Sequence, residues 1–294
     1  MLIETGNYIK PKFCEITYEY QNRLIAFLDI LGSTDLIMNL RGPNAIIHIY
    51  KQVYECFSEG LKSMKFNYYH TERMFNDSLD KESSKIEDFQ ISYFSDSVIV
   101  SVPLIKGGEK ENELIFYEFG SIINLSLMSL FNQGISIRGG ISTGLLYHRD
   151  NYCIGPALVN AYKLETSDIR PIVKVDKSLD LKFPDLSPYE TDNNCYYLSP
   201  LTFIYNQARL FEMNMDGKSL DMIKEFTVDT VKRELISTIK SICRLMNNKS
   251  KSVRIKGLWL YKHHEILQKV LDDFCELHNL NLDRFKEEVA KFKN

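Results

Sequence analysis

The chain reads as a mixed α/β domain, a sheet with helices packed against it, followed by a helical extension. Three observations predict this. Apolar runs too short for helices recur at Leu24-Ile25-Ala26-Phe27-Leu28 and Ile172-Val173-Lys174-Val175, as expected of buried strands. Alternating apolar positions from Ile91 to Val102, interrupted by Ser95-Asp96-Ser97, predict a hairpin. Between these strands lie longer stretches with apolar residues at helical spacing, above all Leu114 to Phe131.

Taken in order, residues 1–22 are polar and aromatic and read as an arm packing on the domain. Arg23 to Thr34, RLIAFLDILGST, gives a strand, a carboxylate and a small polar turn. Ile46, Ile47, Tyr50, Val53, Tyr54 and Phe57 then have helical spacing. FNYYH at 66–70 reads as a strand fragment, and the charged stretch that follows, to Asp88, as a long insertion. After the hairpin, Lys106 to Lys110 is a loop and Leu114 to Phe131 a strongly apolar helix. Ser136 to Leu146 is a strand whose paired Gly139-Gly140 permit close backbone approach. YHRDNYC reads as a loop, Ala157 to Glu165 as a helix, and 172–175 as a strand. Residues 176–200 carry three of the eight prolines with several Asp, Asn and Tyr, a loop composition. Helical spacing returns at Met222 to Met246 and Val253 to Leu277, and a charged helix at Asp283 to Phe292 follows. The expected organisation is an arm (1–22), an α/β domain (23–178) and a helical extension (179–294).

Composition narrows the function classes. Hydrophobic residues make up 44% and charged residues 26%, ordinary for a globular protein. A net charge of −3 leaves no basic footprint for nucleic acid. No run of about 18 apolar residues predicts a membrane helix. The first residues, MLIETGNYIKPKF, lack the apolar core of a secretory signal. Six cysteines stand without CxxC spacing, arguing against zinc and a disulfide framework. The expected location is the cytoplasm, with no membrane or nucleic-acid partner.

The chemistry centres on two carboxylates. Asp29 ends an apolar strand, where burial is unfavourable unless it is paired or binds a metal. Asp96 sits in the hairpin turn between apolar strands. Two strand-borne Asp residues from separate segments are what a two-metal nucleotide site needs, because hard oxygen ligands bridge Mg²⁺ or Mn²⁺ to a triphosphate. Gly32, Ser33 and Thr34 would offer backbone N–H groups to phosphate at a helix N-terminus.

These segments resemble class III nucleotidyl cyclases. FLDILGST is similar to their first metal segment and YFSDSVIVS to their second metal hairpin. ISIRGGISTG followed by IGPALVNAYKLE resembles their Arg-x-Gly-Ile strand and dimer-arm helix. The likeness runs from about Arg23 to Lys177 and is nearest to the pyrimidine cyclases of bacterial anti-phage defence. It implies a ferredoxin-type mixed sheet with flanking helices, and a homodimer with sites at the interface. Two divalent cations (Mn²⁺ or Mg²⁺) would be held by Asp29, Asp96 and the Ile30 carbonyl. It also implies a separate effector activated by the cyclic product.

The resemblance breaks where the family reads a purine. Four residues before the hairpin Asp, adenylyl cyclases carry Lys and guanylyl cyclases Glu; this chain has Ser92. Three residues before the arm glycine, where adenylyl cyclases carry Asp, it has Tyr152. The resemblance therefore implies CTP or UTP as substrate, with Tyr152, Tyr50 and Tyr54 crowding the base pocket. Ser92 serves cytosine or uracil alike, since a hydroxyl both donates and accepts. The transition-state pair is also altered: its Arg position falls on Lys163 and its Asn position on Val159, with Asn160 adjacent. Arg138 is the other candidate cation. Alternatives are a purine cyclase and a silent nucleotide sensor; a palm-type polymerase is disfavoured because Asp96 is flanked by serines.

Overall fold

The computed structural model describes residues 19–33, 42–75, 89–149, 152–177, 179, 190–192, 195–202, 233–234, 236–238 and 240–261. Its elements are β1 (Gln21–Ile30), α1 (Pro43–Phe75), β2 (Gln90–Phe94), β3 (Ser97–Pro103), α2 (Glu109–Asn132), β4 (Ile137–Arg149), β5 (Tyr152–Ile154), α3 (Pro156–Thr166), β6 (Val173–Val175), β7 (Glu190–Asp192) and β8 (Cys195–Leu198). The sheet order is β2-β3-β1-β4-β6-β8-β7, with β5 folded back on β4. From β1 to β4 every neighbouring pair is antiparallel, which is the split βαβ arrangement of a ferredoxin-type sheet. The parallel pairing of β4 with β6 makes the whole sheet mixed.

The apolar run of β1 is buried on both faces, and strand alternation divides it. Leu24, Ala26, Leu28 and Ile30 join Val53 and Phe57 of α1 and Ile115, Phe119 and Ile123 of α2 in the main core. Ile25 and Phe27 point to the other face, where Ala157 and Ala161 of α3 cover them. By the same alternation Arg23 and Asp29 lie on the α3 face. Glu111–Asn132 of α2 is long and apolar enough to cross a membrane, but 61% of its most apolar window is buried inside the fold.

Glycine lets α3 sit close. A Cβ at Gly140 would lie 2.2 Å from the Ala161 carbonyl oxygen and 2.7 Å from Leu164 Cβ. Pro156 starts α3 with its φ already helical.

Three local expectations change. FNYYH continues α1 instead of forming a strand: no Pro or Gly follows Gly60 up to Phe75, so extending an existing helix outweighs the strand preference of an aromatic run. YHRDNYC is not a loop throughout, because β4 runs to Arg149 and turns back as β5. Within 176–200, β7 and β8 join the sheet through β6. Beyond them, helical segments 240–246 and 251–261 contribute Ile242 and Leu260 to a small core with Phe131 and Leu201. Thr34, the expected arm up to residue 18, the insertion at 76–88 and the last helix lie outside the described residues.

Candidate active site

The ends of β1 and the β2–β3 turn meet at the edge of the α3 face. Asp29 pairs across the sheet with Ser97 on one side and Arg138 on the other. The Ile30 N–H donates to the Asp96 carbonyl at 3.2 Å, tying the two acidic segments together. Ser95 adopts φ 56° to make the tight turn that presents Asp96. Gly32 stands at φ 82°, where an L side chain is strained, and reverses the chain so that the Ser33 hydroxyl donates to Asp96 Oδ2. Ser33 is therefore committed to the second carboxylate.

Charge here is one-sided. Asp29 is pushed up to about 6, first by burial, then by Asp96 and Glu165, against the opposing pull of Arg138 and a hydrogen bond from Ser97. Arg138 Nη2 approaches Asp29 Oδ2 at 3.5 Å and pairs more closely with Glu165, which is only 3% exposed. Asp29 and Glu165 thus share one guanidinium with Asp96 close by Asp29, and Arg138 Nε has no hydrogen-bond partner. A divalent cation fits this set, because it would relieve the repulsion that raises Asp29. Among the described residues no group of three His, Cys, Asp or Glu side chains converges as a closed metal cage. An open site on the two carboxylates, completed by substrate oxygens and water, would suit Mg²⁺ or Mn²⁺.

Tyr50 belongs to this end of the molecule. Burial first, then Asp96 and Asp29, raise its hydroxyl above the ordinary tyrosine value, and its ring lines a small recess with Ile30, Ser33, Ile46 and Ile49. Tyr54 packs instead on Tyr93, ring centroids 5.3 Å apart.

Ser92 lies on the same face as Asp29, opposite Ile99, and is only 4% exposed. Its hydroxyl meets His148 Nε2 at 2.7 Å, and His148 Nδ1 meets Ser101 Oγ at 2.8 Å. Arg23 Nε donates to the same Ser101 Oγ at 3.0 Å. Tyr152 stands apart: it pairs with Arg149 while its neighbour Cys153 pairs with His148, so it takes the opposite face of the β4–β5 hairpin from His148. It lines a groove of about 370 Å³ with Tyr20, Tyr147 and Ile154. The structure does not bring Tyr152 to Ser92 within one chain.

On α3, Ala157, Ala161 and Glu165 form the buried stripe, while Asn160 and Lys163 are exposed beside Val159 and Tyr162. Neither Lys163 nor Asn160 faces the Asp29 site of its own chain, whereas Arg138 does. Sequence reading missed Glu165, His148 and Ser101. Glu165 falls at the end of the i, i+4, i+8 stripe begun by Ala157 and Ala161, a signal that it points inward. His148 and Ser101 carry only their strand parity.

No family model matches the chain, and no curated protein matches it. Among solved structures it is similar to a class III adenylyl cyclase-like ATP-binding protein from Pseudomonas aeruginosa, at 13% identity and a TM-score of 0.28, over 53% of this chain and 33% of that one. The chain thus spans about a third of that protein's length.

Proposed function

We propose that this chain is a nucleotidyl cyclase that converts CTP or UTP to the 3′,5′-cyclic monophosphate and pyrophosphate. The observation that carries the reading is the under-neutralised meeting of Asp29 and Asp96, tied by the Ile30–Asp96 backbone bond. Asp29, Asp96 and the Ile30 carbonyl would hold two divalent cations. When bound, these cations lower the pKa of the 3′-hydroxyl and neutralise triphosphate charge.

The residues of the chain divide the remaining work. Arg138 keeps Asp29 oriented and offers its spare Nε toward the phosphates. Ser33 fixes the Asp96 carboxylate, and Gly32 shapes the turn on which the β- and γ-phosphates rest. The 3′ oxygen bonds to the α-phosphorus as the bond from that phosphorus to the β-bridging oxygen breaks. The hydroxyl proton leaves to water, and pyrophosphate departs with the bonding pair. Lys163 and Asn160, exposed on α3, serve the site of a second copy. Exposed Leu145, Ile154, Val159 and Tyr162 around them supply an apolar surface for that copy. Ser92, in place of a purine-reading Lys or Glu, favours a pyrimidine. On this reading the product is a second messenger in antiviral defence, acting on a separate effector.

The test is incubation of the full chain with each nucleoside triphosphate and Mn²⁺, with products read by mass spectrometry. Pyrimidine turnover should exceed purine turnover by about 100-fold, equivalent to roughly 2.7 kcal/mol; preference for ATP or GTP overturns the pyrimidine assignment. Asp29→Ala and Asp96→Ala should each abolish turnover while the far-ultraviolet circular dichroism stays native. Near-normal activity in either variant removes the two-metal reading.

A further inference from the structure

The buried chain of polar groups behind Ser92 has a direction. Ser101 is 0% exposed, and its hydroxyl oxygen has two partners among the described residues, Arg23 Nε and His148 Nδ1. A guanidinium only donates, so it cannot take the Ser101 proton. That leaves His148 Nδ1 as the one acceptor among the described residues. Any other arrangement leaves the proton of this fully buried hydroxyl without an acceptor among the described residues, which is strongly unfavourable.

The rest follows by counting protons. With Nδ1 accepting, the neutral ring of His148 carries its hydrogen on Nε2, and that hydrogen goes to Ser92 Oγ at 2.7 Å. A second ring proton would strand the Ser101 hydrogen in the same way. Ser92 therefore receives a hydrogen bond and keeps its own proton, for which no described residue is the acceptor. Arg23 itself is held by Gln21 Oε1 at 2.7 Å and by the Ser101 carbonyl at 3.4 Å. Arg23 is 1% exposed and His148 3%, so neither can swing to reverse the relay.

We infer that the relay Arg23–Ser101–His148 fixes Ser92 as a hydrogen-bond donor and thereby makes the site select uracil over cytosine. The inference rests on the pyrimidine-cyclase reading above and deepens it. A hydroxyl free to rotate serves either base, but one fixed as a donor does not. At position 4 uracil presents a carbonyl oxygen, which accepts, and cytosine an amino group, which donates. Two donors facing each other leave both unpaired, and sites built on one polarity discriminate strongly against the other. Ser92 is the specificity-determining residue; His148 and Ser101 position its proton.

Two measurements on the full chain test this. Long-range ¹H–¹⁵N correlation of histidine-labelled protein, with the signal assigned through His148→Gln, should show His148 protonated on Nε2 alone; the Nδ1–H tautomer overturns the proposal. Steady-state kinetics with Mn²⁺ should give kcat/KM for UTP at least about tenfold above CTP, with the ratio falling toward one in Ser92→Ala and in His148→Gln. Competitive binding of UTP and CTP gives the same readout without turnover. Equal use of the two, preference for CTP, or a ratio unchanged by Ser92→Ala overturns the donor assignment and leaves the pyrimidine reading standing. Use of purines alone overturns that reading and the inference with it.

Discussion

Asp29 has two acidic neighbours and one basic one, and its carboxyl titrates near 6 rather than at the reference 3.8. The sign of the resulting pH dependence follows. Between about 4 and 6 the folded chain holds a proton that the unfolded chain has released, so stability falls as pH rises through that window. The full shift amounts to about 3 kcal/mol at most. Urea midpoints in EDTA should therefore decline from pH 4 to 6.5 in the wild type, and decline less in Asp29→Asn. At pH 7 that inactive variant should be the more stable protein. Equal slopes in the two proteins would mean that Asp29 titrates normally. The fold thus holds a carboxylate it would be more stable without, as expected of a site kept for its chemistry.

Among the elements, α3 is placed by absence of side chain. Its Ala157–Ala161–Glu165 stripe lies on β4 at Gly140, where a methyl would collide with the Ala161 backbone and the Leu164 side chain. Gly140→Ala should therefore lower stability by about 2 kcal/mol or more, read as a drop in the urea midpoint. It should also weaken turnover, because Glu165 moves with the helix and Arg138 with Glu165. A variant of unchanged midpoint would show that the helix can lift at no cost. The paired glycines announced close approach in the sequence, but not what approached: α3 is contiguous in sequence with β5, yet its contact on Gly140 depends on how the β4–β5 hairpin turns the chain back.

Across the whole molecule, the C-terminal helical segment is linked to the site through Arg170. The Arg170 guanidinium lies 5.4 Å from the Trp259 ring centroid and 5.9 Å from that of Tyr197. It also grips Asp168, with Nε 3.0 Å from Oδ1 and Nη2 2.7 Å from Oδ2. The Asp168 carbonyl accepts from Arg138 Nη1 at 3.2 Å. Burial alone would raise Asp168, but Arg170 and Lys174 hold it down to about 2. Trp259 is the single tryptophan of the chain, so its fluorescence reports this contact. Arg170→Ala should shift Trp259 emission to the red and cost about 1 kcal/mol or more of stability; unchanged emission would show that the helix docks without the clamp. Assembly is tested by complementation: inactive Asp29→Ala mixed with inactive Lys163→Ala should regain activity through one intact site per heterodimer. If no mixture recovers activity, either Lys163 has no part in catalysis or each site lies within one chain.

Much of this was legible in the residues alone. Apolar period marked β1, the hairpin, α2 and β4, because a strand or helix that buries one face must write that face at its own period. Asp29 and Asp96 stood out for the complementary reason, as charges inside apolar strands. The short strands β7 and β8 were not legible: three or four residues carry no period, and β8 joins the sheet only through β6, across an intervening stretch of loop composition. Nor was the position of Tyr50 beside Asp96 and Asp29, since a helical tyrosine shows which turn it is on but not what lies across from it. The proton on Ser92 is the sharpest case. A serine in a sequence both donates and accepts, and its polarity became fixed only when folding enclosed it with His148, Ser101 and Arg23, where buried hydrogen bonds must all be satisfied at once.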